Sequence, residues 1–333
     1  MLLPYRREDN MRRSCLIGII AVLFGTPLAG QGQAGENQPP DFQMKMPWRA
    51  WEFGFQTGWA GVPRAQMVAE PFKMFDNVYY VGLQNNSVLL ITTSEGLMLI
   101  DAAYGDTADM VLNNIRKLRF DPANIKYILI SHGHNDHFAG AGRIKQVAPN
   151  AHVGVSAIDW DFIATGKGLA ECSSPCVPLT KDLVLYDNDV IKLGDMSVKV
   201  HTTPGHSSGA VAFEIPARAG GKTYRLLNMR MSIRQANTLE LSEAYAKSIE
   251  KLKQRGPWDG ILPEHPYTPI RSGPITAKDV YLGYQEPKPA GPNASVQGTA
   301  FTNQFLDDML KVAREKVEYF KSNPPPPAAA ERQ

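Results

Sequence analysis

The strongest constraint in this sequence is a crowd of metal-ligating side chains placed directly behind a buried strand. Ile125–Ile130 reads as a strand covered on both faces, and Ser131-His132-Gly133-His134-Asn135-Asp136-His137 follows it at once. His132, His134, Asp136 and His137 put four imidazole or carboxylate donors into six positions, a set suited to Zn²⁺ and its neighbours. In an extended loop His132 and His134 point one way and Asp136 and His137 diverge from them, which favours two adjacent ions over one. The chain has seven histidines, and five of them stand in three loops that each follow a strand. The other two loops are Thr203-Pro204-Gly205-His206-Ser207-Ser208-Gly209 and Pro263-Glu264-His265-Pro266. A solvated histidine-rich surface tract does not fit behind Tyr127-Ile128-Leu129-Ile130. His152 and His201 remain outside these loops, and His201, in an alternating strand, reads as structural.

The remaining pattern is that of an α/β chain. Asn77–Leu83 and Ser87–Thr93 are β-branched or aromatic runs separated by Gln84-Asn85-Asn86, a hairpin signal. Leu97–Ile100 is a short apolar run ending in Asp101, and Val111, Ile115 and Leu118 then recur at helical spacing. A strand is expected around Val153 and a helix near Ile158–Thr165. Leu183–Tyr186, Val190–Leu193, Ser197–Thr202 and Ala210–Ile215 read as consecutive strands, Leu239–Leu252 as a charged amphipathic helix and Gly260–Leu262 as a last short strand. Two βββαβα-like halves predict a layered α/β protein, with sheets inside and helices outside. Residues 286–298 form a Pro/Gly/Asn linker to a terminal helix, 299–322, striped by Phe301, Phe305, Met309, Val312 and Phe320. The Pro/Ala-rich tail, 323–333, ends ordered structure.

Residues 1–34 carry the parts of a secretory signal: Arg6, Arg7, Arg12 and Arg13, an apolar run from Cys15 to Phe24, and a small-x-small end at Gly32-Gln33-Ala34. The run is about half the length of a bilayer-spanning helix, so the expectation is an exported chain, periplasmic or secreted, with no membrane anchor once matured. Met11 is an alternative start to Met1. Residues 35–70 are Gly-, Pro- and Gln-rich and then aromatic, with Trp48, Trp51, Phe53, Phe55 and Trp59 as candidate anchors on the body, 71–285. In an oxidising compartment Cys172 and Cys176, around a Pro turn, are expected to close a small disulfide loop. The chain has 35 Lys+Arg against 33 Asp+Glu, and the excess lies in the leader, so the body gives no reason to expect nucleic acid as partner.

His-x-His-x-Asp-His after an apolar strand resembles the signature of the metallo-β-lactamase superfamily. The His206 and His265 loops look like its second and third histidine motifs, and Leu99-Ile100-Asp101 like its early strand-end aspartate. Phe72 to Gly82 is similar to a segment of the class B, subclass 3 metallo-β-lactamases. The resemblance covers roughly residues 70–270 and implies a four-layer αββα sandwich with two Zn²⁺ per chain. It assigns His132, His134 and His206 to the first ion, and Asp136, His137 and His265 to the second. Asp101 would orient a metal-bound imidazole through its far nitrogen. Lactonases, glyoxalase II and zinc-dependent ribonucleases carry a bridging aspartate before the third motif. Here that region reads Leu226-Leu227-Asn228-Met229-Arg230-Met231-Ser232, without one.

The implied activity is that of a zinc-dependent hydrolase opening the amide of a small-molecule β-lactam with a metal-bound hydroxide. Asp136 would help to shuttle the proton, and Arg230 and Ser232 would hold the substrate carboxylate. The alternatives are an exported dizinc hydrolase of a lactone or thioester, and a non-catalytic metal-binding module.

Overall fold

Alternation along one strand decides the layering. In Gly96–Ile100 (β4), Leu97 and Leu99 enter one apolar cluster and Met98 and Ile100 another. Successive side chains face opposite sides of a sheet, so a strand with no polar interior position is covered on both faces. The computed structural model describes residues 62–164, 176–233, 235–266 and 291–324, all within the unit Asp41–Gln333.

Phe72–Lys73 (β1), Val78–Tyr80 (β2), Leu89–Thr93 (β3), β4, Ile125–Leu129 (β5), His152–Ser156 (β6) and Leu183–Leu185 (β7) form one sheet in that order. Pairing is antiparallel from β1 to β4 and parallel from β4 to β7. The second sheet holds Val190–Leu193 (β8), Met196–Thr202 (β9), Val211–Ala219 (β10), Lys222–Met229 (β11) and Gly260–Pro263 (β12), in the order β12-β11-β10-β9-β8. Tyr80, Ile91 and Met98 of the first sheet meet Val200, Phe213 and Leu226 of the second in the central core.

Helices cover both outer faces. Ala108–Lys117 (α1), Ala141–Val147 (α3) and Ala157–Ala164 (α4) pack on the first sheet through Val111, Ile115, Ile144 and Trp160, and the short Asn135–Phe138 (α2) carries the metal-loop residues. Leu239–Arg255 (α5) and Thr299–Ser322 (α6) pack on the second through Ile249, Leu252, Phe305, Leu306 and Met309. The result is the four-layer αββα sandwich with an added C-terminal helix.

Two details differ from the sequence pattern. The halves are not equivalent βββαβα units, because β11 adds a strand that the alternation did not separate from β10. Gly220 and Gly221, at φ +58° and +76°, turn the chain back on itself, the pair of left-handed residues a tight hairpin needs. The polar first half of β11 is partly exposed and only its last four residues are buried, which hides the strand in the sequence. In α6 the buried face also takes Leu306, Leu310, Ala313 and Val317, while Phe301 and Val312 flank it half-buried. Residues 1–34, the tryptophans of 48–59, Cys172 and residues 325–333 lie outside the described residues, so the expected Cys172–Cys176 pairing does too.

His201 and His152 lie away from the metal-ligand side chains. His152 is exposed and faces Asp182 at 3.1 Å. His201 is buried in a polar network that ties α5 to the second sheet: its Nε2 meets Glu214 Oε2 at 3.2 Å and its Nδ1 meets Arg255 Nη1 at 2.7 Å. Asp187 accepts from Arg255 Nη2 (2.6 Å), Lys251 Nζ (3.1 Å) and the Thr202 N–H (2.8 Å). Partial burial alone would push the Asp187 carboxyl up. The donors from Arg255, Thr202 and Lys251 outweigh it and hold the group well below the usual carboxylate range. A depressed folded-state pKa gives stability that is present above the unfolded value, about 3.9, and lost as pH falls through the folded one. Asp187→Asn should therefore lower the thermal midpoint of the metal-free protein more at pH 7 than at pH 3, where part of the contribution has been lost and the rest persists until pH falls through the folded value. An equal offset at both pH values, measured by calorimetry, would contradict this account.

Candidate metal centre

The centre is built around Asp101 at the end of β4. Its φ of +63°, and that of Ala103 at +57°, are left-handed positions that a non-glycine residue takes at a cost of order 1–3 kcal/mol. Surrounding bonds hold it there. Asp101 Oδ1 accepts from the Ser131 N–H (2.7 Å), and Oδ2 accepts from Ser131 Oγ (2.9 Å) and His137 Nδ1 (2.7 Å). The Ala102 N–H donates to the His137 carbonyl at 2.8 Å, which completes the clamp between the ends of β4 and β5 and helix α2. The second sheet joins through the Val211 N–H, donated to the Ser131 carbonyl at 2.8 Å. Gly205, at φ +142°, lets the His206 loop lie against α5, where a Cβ would stand 2.6 Å from Tyr245 Cα.

His132, His134 and His206 present ligand atoms within 4.8 Å of one another, and so do Asp136, His137 and His265. In the first group His206 Nδ1 faces the Ser232 carbonyl at 3.0 Å, an acceptor, so it carries the proton and Nε2 keeps a lone pair. That lone pair faces His134 Nδ1 at 3.1 Å. His132 Nδ1 meets Ser131 Oγ at 3.0 Å, and His132 Nε2 is buried with no hydrogen-bond partner. In the second group His265 Nδ1 donates to the Asn85 carbonyl (2.5 Å), leaving its Nε2 lone pair 3.2 Å from His137 Nε2. Asp136 Oδ2 lies 3.3 Å from both nitrogens and accepts from Asn86 Nδ2 at 3.4 Å.

Acceptors converging in this way could hold a cation, and the electrostatics favours one beside His137. Burial pushes His132 and His206 well below the ordinary imidazole value, with neighbouring imidazoles and Arg230 adding to the effect. Burial likewise brings His134 and His265 down to about 4, so these rings are neutral donors at pH 7. His137 is the exception. Burial would lower it, but the Asp136 and Asp101 carboxylates raise it to about 10. The protein thus draws a positive charge to His137, and a metal ion would take the place of that proton. An orphaned imidazole nitrogen, two convergent donor sets and the carboxylates of Asp136 and Asp101 are compatible with bound metal.

Arg230 follows β11 and its Nε and Nη1 are buried without hydrogen-bond partners. Ser232 is buried, its hydroxyl donates to Gln235 Oε1 at 3.1 Å, and its carbonyl faces His206 Nδ1 at 3.0 Å. Sequence reasoning missed four supporting residues. Ser131 and Glu264 lie inside motifs but are not ligand-spaced. Asn85 and Asn86 looked like turn residues, a signal that cannot distinguish a turn from a ligand support. Burial pushes Glu264 up to about 8.

Asp101→Asn tests the clamp. The amide nitrogen would face His137 Nδ1 as a donor and shift the ring proton to Nε2, the nitrogen needed for metal. Affinity for the ion at Asp136, His137 and His265 should fall about 10- to 100-fold by chelator competition, with the His206 group less affected. Unchanged affinity at that set would show that the tautomer is fixed elsewhere.

A profile described as the metallo-β-lactamase superfamily matches residues 80–218. The structure is similar to that of a subclass B3 metallo-β-lactamase of Bradyrhizobium japonicum, at 27% identity and TM-score 0.59, covering 78% of this chain and 95% of that one. It is similar as well to a mutant of the metallo-β-lactamase from Legionella gormanii, at 26% identity and TM-score 0.64, over 77% of this chain and 97% of that one. In sequence it is 26% identical over 211 residues to a hydroxyacylglutathione hydrolase of Francisella tularensis subsp. holarctica, covering 61% of this chain and 72% of the relative. Donor loops at the ends of β5, β9 and β12 in an αββα sandwich agree with these likenesses, and the chain carries a metallo-β-lactamase superfamily domain over residues 80–218.

Proposed function

We propose that the protein hydrolyses the amide bond of β-lactams at a dizinc centre held by His132, His134 and His206 and by Asp136, His137 and His265. The superfamily is hydrolytic, and the observation that carries the finer reading is Arg230. No carboxylate ends β11, whereas Arg230 follows it with Nε and Nη1 buried and unpartnered. Buried guanidinium nitrogens without partners are costly, and the carboxylate of a β-lactam is an acceptor suited to charge-assisted bonds from such a group. Bound Zn²⁺ supplies Lewis acidity and lowers the pKa of a water from about 15.7 to roughly 7. Asp136 Oδ2, steadied by Asn86 Nδ2 at 3.4 Å, would accept a proton from the attacking water and pass it to the amide nitrogen as the C–N bond breaks. Asp101 keeps His137 in register, and Arg230 orients the substrate.

A second reading is a thioester hydrolase, favoured by the relatives named hydroxyacylglutathione hydrolase. Export also remains a proposal, resting on the pattern of residues 1–34, and so does the Cys172–Cys176 disulfide. Among the described residues no helix is long and apolar enough to cross a membrane.

Metal analysis after zinc reconstitution should approach two ions per chain. A value fixed at one under excess zinc would overturn the dinuclear assignment. Turnover of penicillin, cephalosporin and carbapenem substrates, abolished by chelator, should exceed that of lactones and thioesters; the reverse order would favour the second reading. Arg230→Ala should lose about tenfold to a hundredfold in kcat/KM, equivalent to roughly 1.5–3 kcal/mol. The loss should fall mainly in KM, because the contact exists in ground and transition states alike. Equal loss on esterified substrates would make Arg230 a scaffold residue.

A further inference from the structure

Glu264 is a buried carboxylate, 1% exposed, and neither of its side-chain oxygens has a hydrogen-bond partner. Its backbone is tightly held. The Ser87 N–H donates to the Glu264 carbonyl at 2.8 Å, and Ser87 Oγ donates to the Pro263 carbonyl at 2.8 Å. The side chain is therefore fixed inside the protein. Its Oε2 stands 3.4 Å from His132 Nδ1, the ring nitrogen opposite the unpartnered Nε2. The contact is electrostatic rather than a hydrogen bond, since neither Glu264 oxygen has a hydrogen-bond partner; Ser131 Oγ, at 3.0 Å, is the nearer partner of the same nitrogen. Glu264 also groups with His132 and His137, one side chain from each donor set, within 4.8 Å.

Fold stability gives no reason for this residue, since a buried carboxylate without partners costs more than a neutral side chain of the same shape. The centre does give one. The three rings of the first donor set are neutral, and a dication held by them alone would have no negative group of its own. Asp136 and Asp101 serve the second set, with Asp101 Oδ2 bonded to His137 Nδ1 at 2.7 Å. Glu264 stands behind His132 as Asp101 stands behind His137.

We propose that Glu264 is a positioning residue for the first ion: it supplies the countercharge behind His132 and keeps Nε2 of that ring turned toward the metal. The proposal rests on the dizinc reading. Residues behind metal-bound imidazoles typically change metal affinity 10- to 100-fold when replaced.

The test compares zinc binding by full-length protein with Glu264 intact, Glu264→Gln and Glu264→Asp, each in a His265→Ala background that leaves the first donor set intact. Chelator competition measures affinity, and thermal unfolding of the metal-free forms measures stability. Glu264→Gln should bind zinc about 10- to 100-fold more weakly while its metal-free midpoint stays level or rises, because the substitution removes no hydrogen bond of the side-chain oxygens. Glu264→Asp, which keeps the charge, should lie between. Equal affinity of all three proteins would overturn the proposal. A lower metal-free midpoint for Glu264→Gln would overturn it as well, by making Glu264 a structural carboxylate. Failure of the Glu264-intact protein to bind zinc would instead overturn the dizinc reading on which the proposal stands.

Discussion

Everything at this centre depends on the carboxylate of Asp101. It accepts from Ser131 and His137 at once, and its backbone takes a left-handed conformation that those bonds stabilise. Two strand ends and the helix after them are locked by one side chain, which also fixes the proton of His137 on the nitrogen away from the metal. The site is thereby organised before any ion arrives, and binding energy need not be used to order loops.

Charge is distributed unevenly across the two donor sets. The first is composed of rings that burial keeps neutral, so it offers lone pairs but little attraction. The second carries Asp136, with Asp101 behind it, and draws a proton onto His137 strongly enough to raise it to about 10. Arg230 adds positive charge near both sets, and the Glu264 carboxyl, which burial pushes up to about 8, stands behind the first. Two nitrogens of Arg230 and both side-chain oxygens of Glu264 are buried without hydrogen-bond partners. Such groups lower the stability of the metal-free fold, a cost proteins accept at functional sites.

The sandwich supplies the rigidity this requires. The Val211 N–H bonded to the Ser131 carbonyl joins the second sheet to the first metal loop, and Ser87 joins the β2–β3 connection to the end of β12. The salt-bridged network of Asp187, Arg255, His201 and Glu214 belongs to the packing of α5 against the second sheet. His201 shares a residue type with the centre and none of its environment.

From sequence alone, the layered α/β class, most strands and the six candidate ligands were legible. Apolar runs and dense histidine spacing are local properties, and strand-end loops hold their side chains at positions that spacing can reveal. The hairpin through Gly220-Gly221 was not legible, because a half-exposed strand lacks a clean alternation. Nor were the supporting roles of Asn85, Ser131 and Glu264, or the approach of the Ser232 carbonyl to His206 Nδ1. Those depend on which carbonyl, hydroxyl or carboxylate arrives behind a given ring nitrogen. The partners come from residues as far apart as Asn85 and His265, and only packing two sheets face to face brings them within hydrogen-bonding distance.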